Sequence, residues 1–231
     1  MVKRGKKYRK VTEHLDSEKT FEMNDAIEFL KQNSFARFDE TAEMAFRLGV
    51  DPSKSDQAVR GSISLPHGTG KNIRVIVFAS GEQAEAAKEA GADEVGFQEL
   101  VEKVKGGWVD FDIAVATSEA MAEVRKLGKV LGPRGLMPNP RNGTVTEDTP
   151  TAVKQFKAGR VEFKMDKSGN VNVPFGKLSF GVDQLLENGQ AVITAVMAAK
   201  PQSIKGIYVK KCSVSSTMGP GLALENRELN A

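Results

Sequence analysis

Catalysis needs groups that attack, shuttle protons or hold a metal, and this chain carries few of them. Its 231 residues include two histidines, His14 and His67, and one cysteine, Cys212. A single cysteine forms no internal disulfide, and with two histidines it cannot complete a four-ligand zinc site of the usual kind. His67 lies beside a glycine-rich turn, but no G-x-S-x-G accompanies it, and Cys212 falls inside a strand pattern. A turn histidine and a small buried cysteine fit these positions, so no catalytic residue, metal or cofactor is expected. Gly68-Thr69-Gly70-Lys71 looks like half of a phosphate loop. The complete pattern needs G-x-x-x-x-G-K-[ST] between a strand and a helix, whereas here Asn72 and then a strand follow. The run from Ile73 to Ala79 leads into Ser80-Gly81-Glu82, not into a dinucleotide fingerprint.

What the sequence does offer is cationic charge in particular places. Lys+Arg number 33 against 30 Asp+Glu, a net +3. Residues 68–158 hold 12 basic and 13 acidic side chains, so the two ends together carry +4. The first ten residues hold six basics and no acid: Lys3, Arg4, Lys6, Lys7, Arg9 and Lys10. Such a block is either a solvated tail or an arm whose cations replace counterions on a nucleic-acid backbone. Residues 126–144 combine three prolines, four glycines and four basics with no acid. That segment is expected to be irregular and stiff, either an RNA-backbone contact or a rigid connection. Near the C-terminus, Lys210-Lys211 is followed by Ser213, Ser215, Ser216, Thr217, Met218, Gly219, Pro220 and Gly221. Small hydroxyls and glycine let an RNA backbone approach closely, and Met218 offers an apolar contact to a base or ribose. A polar turn is the other reading.

The elements that must position these groups fall into two textures. In the middle third, residues 73–79 and 111–116 are nearly continuous apolar runs, as in strands covered on both faces. Helical segments alternate with them, at 82–90, 98–105, 118–126 (capped by Ser118) and 149–158. This is the pattern of a small open α/β domain with a parallel sheet. The flanks instead alternate. Residues 41–48, 61–65, 161–165 and 171–173 read as half-buried strands, with a hairpin turn at 166–170. Asn24 would cap one amphipathic helix, a long helix is expected over 182–199, and a last strand over 205–214. Neither flank has strands enough alone; together they give four or five strands and two helices, an α+β domain with an antiparallel sheet. The predicted architecture is an outer domain of residues 1–67 plus 159–231 with residues 68–158 inserted, and hinges near 66–70 and 158–160. The longest apolar run, 191–199, is far short of the about 20 residues of a membrane span, and no secretory signal is visible. A cytoplasmic protein of a reducing compartment is expected.

Several strings together resemble the bacterial large-subunit ribosomal protein L-one family, the stalk protein of the large subunit. They are FDET at 38–41, DQAVRG at 56–61, LPHGTGK at 65–71, AGAD at 90–93, LGPRGLMPNP at 131–140, KAGRVEF at 157–163 and STMGP at 216–220. The resemblance spans almost the whole chain in order. It implies two domains, a Rossmann-like open α/β domain inserted into an α+β domain that carries the RNA surface. It implies a non-catalytic protein that binds large-subunit rRNA at the mobile stalk, helps deacylated tRNA leave the exit site, and represses translation of its own operon mRNA. It further implies a cytoplasmic, ribosomal location, no membrane partner and a monomer when free of RNA. Carried onto this sequence, the RNA surface comprises Phe38, Thr41, Ser216, Thr217, Met218 and Gly219, with Lys164, Lys167 and Ser168 at the hairpin. Lys6, Tyr8 and Arg9, and in the insert Lys129, Arg134 and Arg141, are secondary candidates. Phe38 could stack on RNA or fill the core. The competing reading is an enzyme that holds a nucleotide in the α/β insert, and the incomplete phosphate loop argues against it.

Overall fold

A computed structural model describes residues 5–13, 15, 19–204 and 206–225. The outer unit comprises the described residues up to Gly70 and from Val161 onward, and the second unit is Lys71–Arg160. In chain order the outer unit begins with α1 (Lys6–Thr12), β1 (Thr20–Phe21), α2 (Met23–Gln32), β2 (Thr41–Leu48) and β3 (Arg60–Ser64). The insert contributes β4 (Val75–Phe78), α3 (Glu82–Glu89), β5 (Glu94–Gly96), α4 (Gln98–Lys105), β6 (Ile113–Ala116), α5 (Met121–Val124), α6 (Gly128–Leu131) and α7 (Thr149–Lys157). The chain returns through β7 (Arg160–Lys164), β8 (Asn170–Lys177), α8 (Val182–Ala198), β9 (Val209–Ser216) and β10 (Leu222–Leu224).

The outer unit is an α+β fold around β2. A five-stranded sheet runs β1-β10-β9-β2-β8, and β3 and β7 form a separate two-stranded sheet. β2 is antiparallel to both neighbours, with Thr41 opposite Lys177 of β8 and Ala42 opposite Ser216 of β9. Its burial alternates because one pleat face, Ala42, Met44, Phe46 and Leu48, enters the core. Met23, Ala26, Ile27 and Leu30 of α2 recur at helical spacing, and Leu185, Gly189, Val192 and Val196 of α8 do the same; both helices seal that face. Gly189 lets the helices come close, since a Cβ there would lie 3.1 Å from the Met23 thioether. At the hairpin, Asp166 Oδ1 accepts the N–H groups of Ser168 and Asn170, each at 2.8 Å, and Gly169 takes φ 80°.

The insert is an open three-stranded parallel sheet, β5-β4-β6. Strand β4 is apolar throughout because both of its faces are buried. Ile76 and Phe78 pack with Leu100, Val104 and Leu127, while Val75 and Val77 pack with Ala87, Val153 and Phe156. Asp148 caps α7, accepting the Thr151 N–H at 3.2 Å.

Several local expectations change. The basic segment is helical over Lys6–Thr12, with Tyr8 half-buried. Lys3, Arg4 and His14 lie outside the described residues. Helix α2 starts after Glu22 without a side-chain cap, rather than at Asn24. Thr117, not Ser118, turns the chain into α5, its hydroxyl accepting the Ala120 N–H at 3.3 Å. The last long strand covers Val209–Ser216 instead of 205–214. Strands β1 and β10, and the split into two sheets, raise the outer unit above the four or five strands and two helices expected.

Candidate nucleic-acid interface

The segment before β2 and the loop after β9 meet around one buried carboxylate. Glu40 is 2% exposed. Its Oε1 accepts the Ala36 N–H at 3.1 Å; its Oε2 accepts the Ser216 hydroxyl at 2.6 Å and the Met218 N–H at 3.2 Å. Burial pushes the carboxyl pKa up, but the bonds from Ser216 and from the N–H groups of Ala36, Met218 and Phe35 outweigh it, leaving the pKa below the ordinary 4.5. Glu40 is therefore an anion at neutral pH, joining segments 176 residues apart in the chain.

Thr217 adds a second joint. Its Oγ1 accepts the Thr41 N–H at 3.0 Å and donates to the Thr41 carbonyl at 3.4 Å. Gly219 closes the loop, its N–H donating to Ser216 Oγ at 3.1 Å. A Cβ on Gly219 would stand 2.5 Å from that hydroxyl, so only glycine fits. Beneath Thr41, the Lys177 ammonium donates to the Thr41 hydroxyl at 2.9 Å and to the Asp39 carbonyl at 3.2 Å. Asp39 Oδ2 accepts the Ser179 hydroxyl at 2.7 Å.

This frame presents Phe38, Thr41, Thr217, Met218 and Gly219 together at one end of the sheet. Phe38 is 56% exposed and Met218 49%, so Phe38 is not a core residue. Ser216 is buried, and its hydroxyl is committed to Glu40. Lys6 and Tyr8 line a cleft that also touches Phe35 and Met218, while Arg9 faces a neighbouring cleft with Lys6, Lys10 and Glu13. Lys167 and Ser168 are exposed in the hairpin at the opposite end of the sheet, and Lys164 is exposed at the end of β7 leading into it. The register pairs Arg47 with Asn170 there, six residues along β2 from Thr41, a separation of about 20 Å. Between the two ends runs the uncovered face of the sheet. Glu43 stands opposite Ser215, Ala45 between Ser213 and Asn172, and Arg47 between Lys211 and Asn170. Lys129 and Arg134 are exposed in the insert; the side chain of Arg141 lies outside what the structure describes.

Sequence reasoning missed Glu40 and Lys177 as organisers. Glu40 sits inside the string FDET, and a lone acid before a strand reads as surface charge; its donors Ser216 and Met218 come from the far end of the chain. The position of Lys177 at the end of an alternating strand carried no signal.

This frame is built from the strings at 38–41 and 216–220. The model of the ribosomal protein L1p/L10e family matches residues 30–220. The chain belongs to that family. It is 52% identical to the large ribosomal subunit protein uL1 of each of two strains of Lactobacillus delbrueckii subsp. bulgaricus, over 225 residues covering 97% of both chains. Family membership makes this a structural, non-enzymatic ribosomal protein and removes the nucleotide-enzyme reading. Among the described residues no helix is long and apolar enough to cross a membrane.

Proposed function

We propose that the chain is a component of the large ribosomal subunit in the cytoplasm and binds its rRNA at the mobile stalk. The primary RNA surface is Phe38, Thr41, Thr217, Met218 and Gly219, held by Glu40 and Ser216, with Lys164, Lys167 and Ser168 extending it along the sheet. The observation that carries this reading is the buried Glu40 joint, which fixes two distant segments as one preset surface of hydroxyls, glycine and exposed apolar side chains. A preset surface suits shape readout of a folded RNA, because little ordering entropy is lost on binding. The relatives' name, large ribosomal subunit protein, supports the assignment. The family resemblance extends the proposal to two further roles. The chain would aid release of deacylated tRNA from the exit site, and it would repress its own operon by offering the same surface to a similar fold in the messenger.

Titration of Thr217→Val against large-subunit rRNA at several salt concentrations tests the surface. Loss of about 1–3 kcal/mol of affinity with the fold intact is expected, since valine removes both the hydroxyl and its tie to Thr41. The wild-type salt dependence is expected to be shallow, below ten released ions, given the net +3. Wild-type affinity in the folded variant removes this loop from the interface. Co-sedimentation with large subunits checks assembly, and translation of a reporter behind the operon leader checks repression.

A further inference from the structure

Beside Met218 lies an open cleft of about 450 Å³ lined by Gly5, Lys6, Lys7, Tyr8, Phe35 and Met218. Its walls are largely apolar, from Tyr8, Phe35 and Met218. Its cations come from Lys6 and Lys7, both exposed, and the Lys7 ammonium is placed by a 3.4 Å bond to the Phe35 carbonyl. Among the described residues no acidic side chain lines it. Arg9 and Lys10 on the same short helix add positive charge alongside.

We propose that this cleft receives one unpaired nucleotide of the RNA held by the adjoining 216–219 loop. Its base would rest against Tyr8, Phe35 and Met218, with its phosphate at Lys6 and Lys7. The proposal rests on the RNA reading above and adds the chemical class of what lies in this part of it. A nucleotide joins a flat face that stacks on aromatic or thioether side chains to a fixed anion, and the cleft pairs those same two features. A phosphate backbone alone would leave the apolar walls without use, and an apolar side chain would leave the lysines without use. The cleft volume lies in the range of sites that enclose small ligands. Met218 belongs to both regions. Its main-chain N–H is fixed by Glu40, so one wall is set by the same joint that shapes the Thr41–Thr217 surface.

The full chain, labelled at methionine methyls and tyrosine rings, is titrated by NMR with AMP, UMP and ribose 5-phosphate. The Met218 methyl and Tyr8 ring signals are expected to move with both nucleotides and to stay still with ribose 5-phosphate; the Met218 response is expected to vanish in Tyr8→Ala. Signals that ignore the nucleotides, or that move equally with ribose 5-phosphate, overturn the proposal. In parallel, Tyr8→Ala and Lys6→Glu are expected to bind large-subunit rRNA about tenfold more weakly, and Tyr8→Phe nearly as the wild type does. If Thr217→Val weakens rRNA binding while Tyr8→Ala and Lys6→Glu do not, the cleft assignment fails and the RNA surface stands. If none of these variants weakens it, the RNA reading itself fails. Lys6 is exposed, so its variant tests the site even where loss of the tyrosine loosens α1.

Discussion

Replacing Glu40 by glutamine tests the joint at the centre of the interface. The substitution keeps the shape and removes the charge. Oε2 accepts from Ser216 and Met218 and Oε1 from Ala36, so the single amide oxygen is best spent on Ser216 and Met218. The NH₂ group then confronts the Ala36 N–H, and that bond is lost. A hydrogen bond to a charged group is worth about 1.5–3 kcal/mol, and the two remaining bonds fall to roughly half strength when the acceptor is neutral. Relief from burying a charge offsets part of this. The net loss is about 2–3 kcal/mol from the outer unit at pH 7. Urea unfolding followed by circular dichroism measures it. Trp108 lies in the insert, which has its own core, so its fluorescence provides an internal control that is expected not to move.

The pH dependence supplies the sign. The folded-state pKa of Glu40 is depressed, so its stabilisation is present above the ordinary value of 4.5 and is lost as pH falls through the folded value. The gap between wild type and Glu40→Gln should therefore narrow on acidification. Glu40 is 2% exposed, so a drop in RNA affinity in this variant would arise through the 216–219 loop it holds. Equal unfolding midpoints at pH 7, or a gap that persists unchanged into acid, would refute this account of the joint.

Three further outcomes follow from the geometry. Gly219→Ala places a methyl 2.5 Å from Ser216 Oγ, so the loop must shift; rRNA affinity should fall by about 1–3 kcal/mol, measured by filter binding, and the melting temperature should fall too, because the same hydroxyl donates to Glu40. Asn188 is fully buried, accepts the His67 N–H at 3.1 Å and donates to the Gly68 and Phe175 carbonyls at 3.0 and 2.8 Å. Asn188→Ala orphans these groups and should cost about 2–3 kcal/mol in urea unfolding, accompanied by faster amide exchange at 67–68. Burial pushes the Tyr208 hydroxyl pKa up to about 12 from an ordinary 10.0. In an ultraviolet absorbance titration the Tyr208 phenolate should appear only near pH 12, and the stability this residue contributes should fade as pH rises above 10.

Much of the fold was legible because burial leaves a period in the sequence. Met44, Phe46 and Leu48 alternate since only one face of β2 is covered, whereas Val75 to Phe78 do not alternate since both faces of β4 are. The two- and three-residue strands β1 and β10 are too short to show any period. Local sequence also cannot say which end of a sheet a turn occupies. Lys167 and Thr217 read as members of one patch, yet the antiparallel register of β2 and β8 sends them to opposite ends. The exposure of Phe38 was equally illegible. Phe38 lies in the short 36–40 turn that the Ala36 N–H closes onto Glu40, a carboxylate whose remaining partners are remote in sequence.

Glu40 leaves the translating ribosome long before Ser216 and Met218 do, with the whole 71–160 insert made in between. A nascent chain cut short anywhere before those last residues holds an unquenched acid and half of a grip. The proposed RNA surface can therefore form only once Ser216 and Met218 have been made and reach Glu40.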